Sequence, residues 1–258
     1  MNFAIIGYGK MGKLYDSLLG AKYIVDLLPV ANRAYFSHVD EFIAYKQPAD
    51  LAIVASPSHT HFEIVKKLLI NNYNVLCEKP ICLSSEEAEE LEKLAEQKNL
   101  VLYQSTLERY NPLIKFFLKN IDKTDIIKIE SHRYGTQPSK NYTNDPKFDL
   151  GIHDVDLWFY ILNQKIPWQM NVGYGQPRRE ILVYLKNKGS LKLDLLNKLI
   201  FYNGSVLDFT KASLNNPILE MIYDLTYKGT AMNEKWSKEI KVLERSDSCK
   251  IKLNNAKI

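Results

Sequence analysis

Cysteine is scarce in this chain. Cys77, Cys82 and Cys249 are odd in number among 258 residues and lack the spacing of a disulfide framework or a zinc site. They read as reduced thiols, which predicts a cytoplasmic protein. No apolar run approaches the roughly 18 residues a membrane-crossing helix needs, so no membrane span is expected. The N-terminus enters a strand pattern at once, without the charged start, apolar stretch and cleavage site of a signal peptide. Charge of one sign is also wanting: 34 basic and 30 acidic residues leave a formal +4. The lysines are spread along the chain, which argues against a nucleic-acid stripe and leaves a weak positive field suited to an anionic small substrate. His59-Thr60-His61 lacks a completing set of acidic or thiol ligands, so no metal is expected. There is no internal repeat and no low-complexity segment.

What is present is ordinary globular composition, 46% hydrophobic and 25% charged, in a chain long enough for one large domain or two modest ones. The first hundred residues alternate strand and helix signals, the pattern of a parallel sheet with crossover helices. Strands are expected at Phe3–Ile6, Tyr23–Val25, Leu51–Val54, Asn74–Leu76 and Val101–Tyr103, and helices at Met11–Leu19, Asp40–Tyr45, His61–Asn71 and Ser84–Gln97. Ser84 and Glu87 form a capping box at the last of these. After about Glu108 the pattern changes. A helical stretch follows Asn111-Pro112, Asp125–Tyr134 alternates as a strand does, and Gly135–Pro146 is loop-like. A helix starts at Asp149, with Ile152, Val155, Phe159 and Leu162 as its buried stripe. Val172–Lys186 and Leu191–Phe209 read as antiparallel strands, with a hairpin turn at Asn203-Gly204. Pro217 opens another helical stretch, and Ile240–Leu253 closes the chain.

Three groups of residues carry chemistry. Gly7-Tyr8-Gly9-Lys10-Met11-Gly12 follows a strand and opens a helix, where glycines permit a tight turn, close approach to a pyrophosphate and close helix packing. Asp26 after the second strand would grip ribose hydroxyls and disfavour a 2′-phosphate, while Arg33 favours NADP if the strand is instead Leu28–Arg33. An ordinary loop acid is the other reading of Asp26. Glu78-Lys79-Pro80 follows a strand, so Lys79 would emerge at a strand's carboxyl end and could stabilise negative charge on a sugar oxygen. A surface ion pair capped by a turn proline reads more readily from those residues alone. Asp149 and His153 lie four apart on one helix face, continued by Asp156 and Tyr160. A histidine oriented by a carboxylate serves as a general acid or base near neutral pH. A satisfied histidine at a domain interface explains the same spacing.

Jointly, these segments resemble the Gfo/Idh/MocA family of NAD(P)-dependent sugar oxidoreductases. Gly7–Gly12, Cys77–Pro80, Glu108-Arg109-Tyr110-Asn111-Pro112 and Asp149–Leu157 occur in the family's order over nearly the whole chain. Ser56-Pro57 followed by His61 is similar to the family's cofactor-side loop. The resemblance implies an α/β Rossmann domain over residues 1–108. A shortened α+β domain with a mostly antiparallel open sheet would follow over residues 109–258, binding substrate and forming a homo-oligomer, dimer or tetramer. It implies NAD, with NADP as the alternative, held by Gly7, Tyr8, Gly9, Lys10, Met11, Gly12, Asp26, Ser56, Pro57, His61, Glu78 and Lys79. It makes Lys79, Asp149 and His153 the catalytic set. Arg109, Arg133, Tyr134 and Lys140 join Lys79 and His153 as candidate contacts to the sugar or diphosphate, with ordinary surface residues as the other reading of those four.

Thr106–Pro112 and the run from Asp149 to Leu157 are similar to the branch acting on nucleotide sugars such as UDP-N-acetylglucosamine. That implies oxidation of a ring hydroxyl, at C3, to a ketone, which an aminotransferase would convert to an amine for amide-linked lipid A. Two further readings stay open: an NADPH-dependent keto-sugar reductase with the same residues, and a non-catalytic NAD(P)-binding sensor.

Overall fold

The computed structural model describes residues 1–31, 33–136, 145–162, 166–186, 188–210, 216–228, 235–246 and 250–253. Lys140 and Cys249 lie outside them. The chain divides into two compact units, one of Met1–Ser105 with Ile222–Ser237 and one of Thr106–Met221 with Lys238–Ile258.

In the first unit, β1 (Phe3–Ile6), β2 (Tyr23–Val25), β3 (Ala34–Phe36), β4 (Leu51–Val54), β5 (Val75–Cys77) and β6 (Leu102–Gln104) form one sheet. Its order is β3-β2-β1-β4-β5-β6 with every neighbour parallel. The helices α1 (Lys10–Leu19), α2 (Val39–Ala44), α3 (His61–Ile70) and α4 (Ser85–Lys98) alternate with these strands. This is the doubly wound Rossmann order, whose ligand crevice lies at the strands' carboxyl ends where the order reverses, between β1 and β4. β1 and β4 are continuous apolar runs because they are buried along their whole length, as strands covered on both faces must be. At α4 the Ser84 hydroxyl accepts the Glu87 N–H as the capping box predicts, and Asn99 in the left-handed region ends the helix.

β3 was not among the expected strands. Pro29 interrupts the stretch after Asp26, and the chain re-enters the sheet only at Ala34, in register with Tyr23. Tyr23, Phe36, Phe42 and Tyr73 then stack beneath it, with ring centroids 5.3–6.3 Å apart. The segment 222–237 joins the same unit late in the chain. Glu92 of α4 accepts the Ser237 N–H at 2.7 Å, and Trp236 stands edge-on to Tyr103 at 5.3 Å.

The second unit is built on β7 (Ile126–Gly135), β8 (Trp168–Tyr174), β9 (Arg178–Leu185), β10 (Gly189–Asp194), β11 (Leu199–Tyr202), β12 (Ser205–Asp208) and β13 (Lys250–Leu253). The sheet order is β12-β11-β10-β9-β7-β8-β13, antiparallel except for the β7–β8 pair. The helices α5 (Pro112–Asn120) and α6 (Ile152–Leu162) belong to the second unit whole, α7 (Pro217–Tyr223) as far as Met221 and α8 (Trp236–Glu244) from Lys238. The parallel pair needs a crossover, and α6 provides it. The expected run Val172–Lys186 is two strands, split around Pro177, which has no N–H to donate to a ladder. Asn203 and Gly204, with φ of 47° and 80°, make the β11–β12 hairpin turn, both in the positive range a two-residue type I′ turn requires. The core gathers Trp158, Trp168, Met170, Val183 and Leu193 between α6 and the sheet. Each fully buried aliphatic side chain there contributes about 1.5–3 kcal/mol relative to exposure. No helix of the described residues is long and apolar enough to cross a membrane.

Candidate functional site

The glycine loop sits at the carboxyl end of β1. Gly7 has φ +93°, and a Cβ there would lie 2.5 Å from the backbone nitrogen of Ser56, so the loop after β4 packs directly on it. A Cβ on Gly12 would lie 2.0 Å from the Gly7 carbonyl oxygen, which is why α1 can begin so close to the strand only with glycine. Where a Cβ of Gly9 would stand there is open space, and the first turn of α1 carries no acidic residue. A pyrophosphate fits such a helix start, with bare backbone to approach and a positive dipole end. Lys10 is exposed and Met11 half-buried in that same turn.

Asp26 follows β2 and turns its carboxylate back onto the loop. Oδ2 accepts the Tyr8 N–H at 2.6 Å and Oδ1 the Leu28 N–H at 2.9 Å. Arg33 does not favour a 2′-phosphate. It precedes β3 at the amino ends of the strands, opposite the glycine loop, and its guanidinium bonds Asp16 at 3.0 Å and the Ala21 carbonyl at 3.2 Å. The conditional strand Leu28–Arg33 is replaced by Ala34–Phe36, and that shift puts Arg33 at the wrong end of the sheet.

Glu78-Lys79-Pro80 leaves the carboxyl end of β5, with the Glu78 N–H bonded to the Val54 carbonyl at 2.8 Å. Three neighbours hold this turn. The fully buried Tyr15 of α1 donates its hydroxyl to Glu78 at 2.7 Å and lies 3.2 Å from the Ser105 hydroxyl. Gln104 at the end of β6 accepts the Ile81 N–H at 2.9 Å. His61, 1% exposed at the start of α3, sets Nδ1 2.8 Å from the Pro80 carbonyl and Nε2 2.8 Å from the Ser56 carbonyl. Burial pushes the imidazole pKa of His61 below its ordinary value, against the two carbonyls and Glu78. Both its nitrogens face protein carbonyls, so its ring braces the turn instead of facing a cofactor. Ser56 shares a 2.8 Å hydrogen bond with Thr60 beside Pro57. Lys79 itself is half-buried.

In the second unit, Asp149 and His153 are both half-buried, but the helix reaches them irregularly. Pro146 occupies the first helical position, where its missing N–H costs nothing, and Asp145 accepts the Lys147 N–H at 2.9 Å. A π turn over Lys147–Gly151 then precedes α6. Such widened turns recur at functional sites, and this one carries Asp149. The Tyr174 hydroxyl at the end of β8 donates to Asp149 at 3.3 Å. Tyr134 is half-buried near the end of β7.

α6 departs from the expected two-sided helix. Ile152 and Val155 are buried as predicted and Phe159 partly so, yet Asp154 and Asp156 are buried as well, 1% and 2% exposed. Two arginines explain this. Arg133 of β7 binds Asp154 through Nε at 2.9 Å and Glu108 through a terminal nitrogen at 2.9 Å, while Ser131 donates to the same Asp154 at 2.8 Å. Arg109 holds Asp156 through Nε at 3.0 Å, with its guanidinium 4.6 Å from the centre of the exposed Tyr160 ring. Burial works to raise the Glu108 pKa, but Arg133 and Asn111 outweigh it and hold the carboxyl below its ordinary value. Arg109 and Arg133, expected among the substrate contacts, thus spend their guanidinium groups inside the unit. Tyr15, Gln104 and Tyr174 were not anticipated. Tyr15 carried one readable signal, since it follows Gly12 by three residues and shares its inward helix face.

Residues 27–106 match the sequence family described as "Oxidoreductase family, NAD-binding Rossmann fold". The UDP-N-acetylglucosamine 3-dehydrogenase of Acidithiobacillus ferrooxidans is 26% identical over 61% of this chain and 53% of its own length. The scyllo-inositol 2-dehydrogenase (NAD(+)) of Bacillus subtilis is 24% identical over 63% of this chain and 54% of its own. The chain spans about half the length of the curated relatives it matches. The solved structure of the Acidithiobacillus enzyme superposes with a TM-score of 0.75 at 18% identity, covering 95% of this chain and 96% of that one. Residues 27–106 thus match the Gfo/Idh/MocA oxidoreductase family model, and the superposition shows that the fold is shared with a solved dehydrogenase.

Proposed function

We propose that the protein is an NAD-dependent dehydrogenase that oxidises a ring hydroxyl, at C3, of a nucleotide sugar such as UDP-N-acetylglucosamine. The observation that carries this reading is the placement of Lys79, braced at the carboxyl end of β5 in the sheet that bears the glycine loop. NAD, when bound, supplies the hydride acceptor. His153 takes the hydroxyl proton as general base, Asp149 orients it, and Lys79 polarises the same oxygen. Arg109 and Arg133 serve this chemistry by holding α6, not by touching the sugar. The relative that acts on UDP-N-acetylglucosamine supports the substrate class, and the inositol dehydrogenase sets the principal rival.

The test is absorbance at the reduced-nicotinamide band with NAD and a panel of UDP- and dTDP-sugars, scyllo-inositol included. Signal with UDP-N-acetylglucosamine is the expected result, and signal with the inositol alone would replace the substrate. NADPH consumption with a keto-sugar, and no oxidation, would favour the reductase. Asp26→Ala is expected to lower kcat/KM for NAD relative to NADP by about 10-fold, the scale of a lost charge-assisted hydrogen bond. An unchanged ratio leaves Asp26 only its bonds to the Tyr8 and Leu28 backbone.

A further inference from the structure

His61 lies outside the residues that would touch substrate, yet its place in the fold is unusual. It opens α3 with its ring buried, and each nitrogen is 2.8 Å from a backbone carbonyl of a different loop. One carbonyl belongs to Ser56, whose backbone packs against Gly7. The other belongs to Pro80, the residue that follows Lys79. We propose that His61 is a positioning residue for hydride transfer, its imidazole tying the loop that supports the dinucleotide turn to the turn that carries Lys79. The inference rests on the role proposed above for Lys79.

The bond pattern makes the two arms separable. A neutral imidazole has one N–H and an imidazolium two, so the ring always donates to at least one of the two carbonyls. Its remaining edge fills the space between them in either state. The Pro80 arm acts on Lys79, already restrained by Tyr15 through Glu78 and followed by Ile81 on Gln104. The Ser56 arm acts on the cofactor side. A lysine nitrogen displaced by a fraction of an ångström loses its alignment with the reacting oxygen, whereas a loosened Ser56 loop weakens dinucleotide binding.

Two variants keep one arm each. His61→Asn places its amide nitrogen near the position of Nδ1 and retains the Pro80 bond. His61→Gln reaches the position of Nε2 and retains the Ser56 bond. In His61→Gln, kcat is expected to fall about 10- to 100-fold, the scale of misplaced catalytic groups, with the Kd for NAD within about 2-fold of wild type. In His61→Asn, kcat is expected to stay within about 3-fold while the Kd for NAD, from protein fluorescence, rises about 10-fold, as one lost hydrogen bond predicts. Amide hydrogen exchange over residues 78–82 without NAD should be faster in His61→Gln than in His61→Asn. Equal losses in both variants alongside an equal drop in Tm would make His61 a general core residue and overturn the inference. So would wild-type behaviour in both. Lys79→Ala is measured beside them. If it turns over like wild type, the functional reading has failed. If it is inactive and the two arms do not separate, only the inference on His61 has failed.

Discussion

Lys79→Ala and His153→Ala are each expected to lower kcat for the proposed sugar oxidation by about 10²-fold or more, the scale of a lost general acid–base or charge-stabilising group. The argument for Lys79 is its mounting. It follows a strand whose carboxyl end is fixed by the Glu78–Val54 backbone bond, and its two neighbours are held by Tyr15 and His61. The backbone of Lys79 is thus fixed on both sides, and alanine leaves that frame intact while removing the amine. His153 stands on a helix anchored by two buried arginines, so its truncation should leave α6 in place. Stopped-flow or steady-state absorbance at the reduced-nicotinamide band reads both variants. Protein fluorescence checks NAD binding in both, with a Kd expected within about 3-fold of wild type, less than one hydrogen bond is worth. Near-normal turnover in both would remove the catalytic assignment while leaving the fold and the cofactor loop untouched.

Arg133→Leu destabilises the second unit by about 3–5 kcal/mol, because it leaves Glu108 and Asp154 as buried carboxylates without their cation. Arg133 is 2% exposed and Asp154 1%, so water cannot replace the lost partner. Urea unfolding followed by the fluorescence of Trp158 and Trp168, both in that unit, measures the loss. The pH dependence gives a second, signed test. In the native protein Glu108 titrates below its ordinary value, so its contribution is present above the unfolded carboxylate pKa of about 4.3 and is lost as pH falls through the folded value. Without Arg133, burial dominates and raises the Glu108 pKa. The variant's folded state then binds the proton more tightly than the unfolded chain, and stability declines as pH rises from about 4.3 towards the raised folded value. A variant whose stability still rose with pH there would show that Arg133 does not set the Glu108 charge. Arg133→Lys would restore only part of the loss, since an ammonium cannot reproduce the fork that reaches Asp154 and Glu108 together.

Much of the first unit was legible because parallel strands buried on both faces leave unbroken apolar runs, as in Leu51–Val54, and because glycine positions report backbone demands directly. The hairpin at Asn203-Gly204 was legible for the same reason. β3 was not, since three residues after a proline carry too little pattern to be told from loop. Arg109 and Arg133 were expected among the substrate contacts because a cation usually faces solvent or a ligand. The alternation along β7 held the correction, for Arg133 shares the inward parity of Ile129 and Ser131, but a buried arginine becomes believable only once Asp154 and Glu108 are seen around it. Likewise Asp156 reads as polar helix surface until Arg109 is found against it.

The residues alone determined the Rossmann order of the first unit and the nucleotide loop. These are local properties, set by period, turn chemistry and glycine. Which polar side chains face a ligand and which are spent inside the protein was decided only in three dimensions. A guanidinium or imidazole of given sequence spacing looks the same whether its partner is a substrate or a carboxylate tens of residues away. In His61 and Arg133 those partners are the Ser56 and Pro80 carbonyls and the Asp154 and Glu108 carboxylates, brought close by sheet register and helix packing.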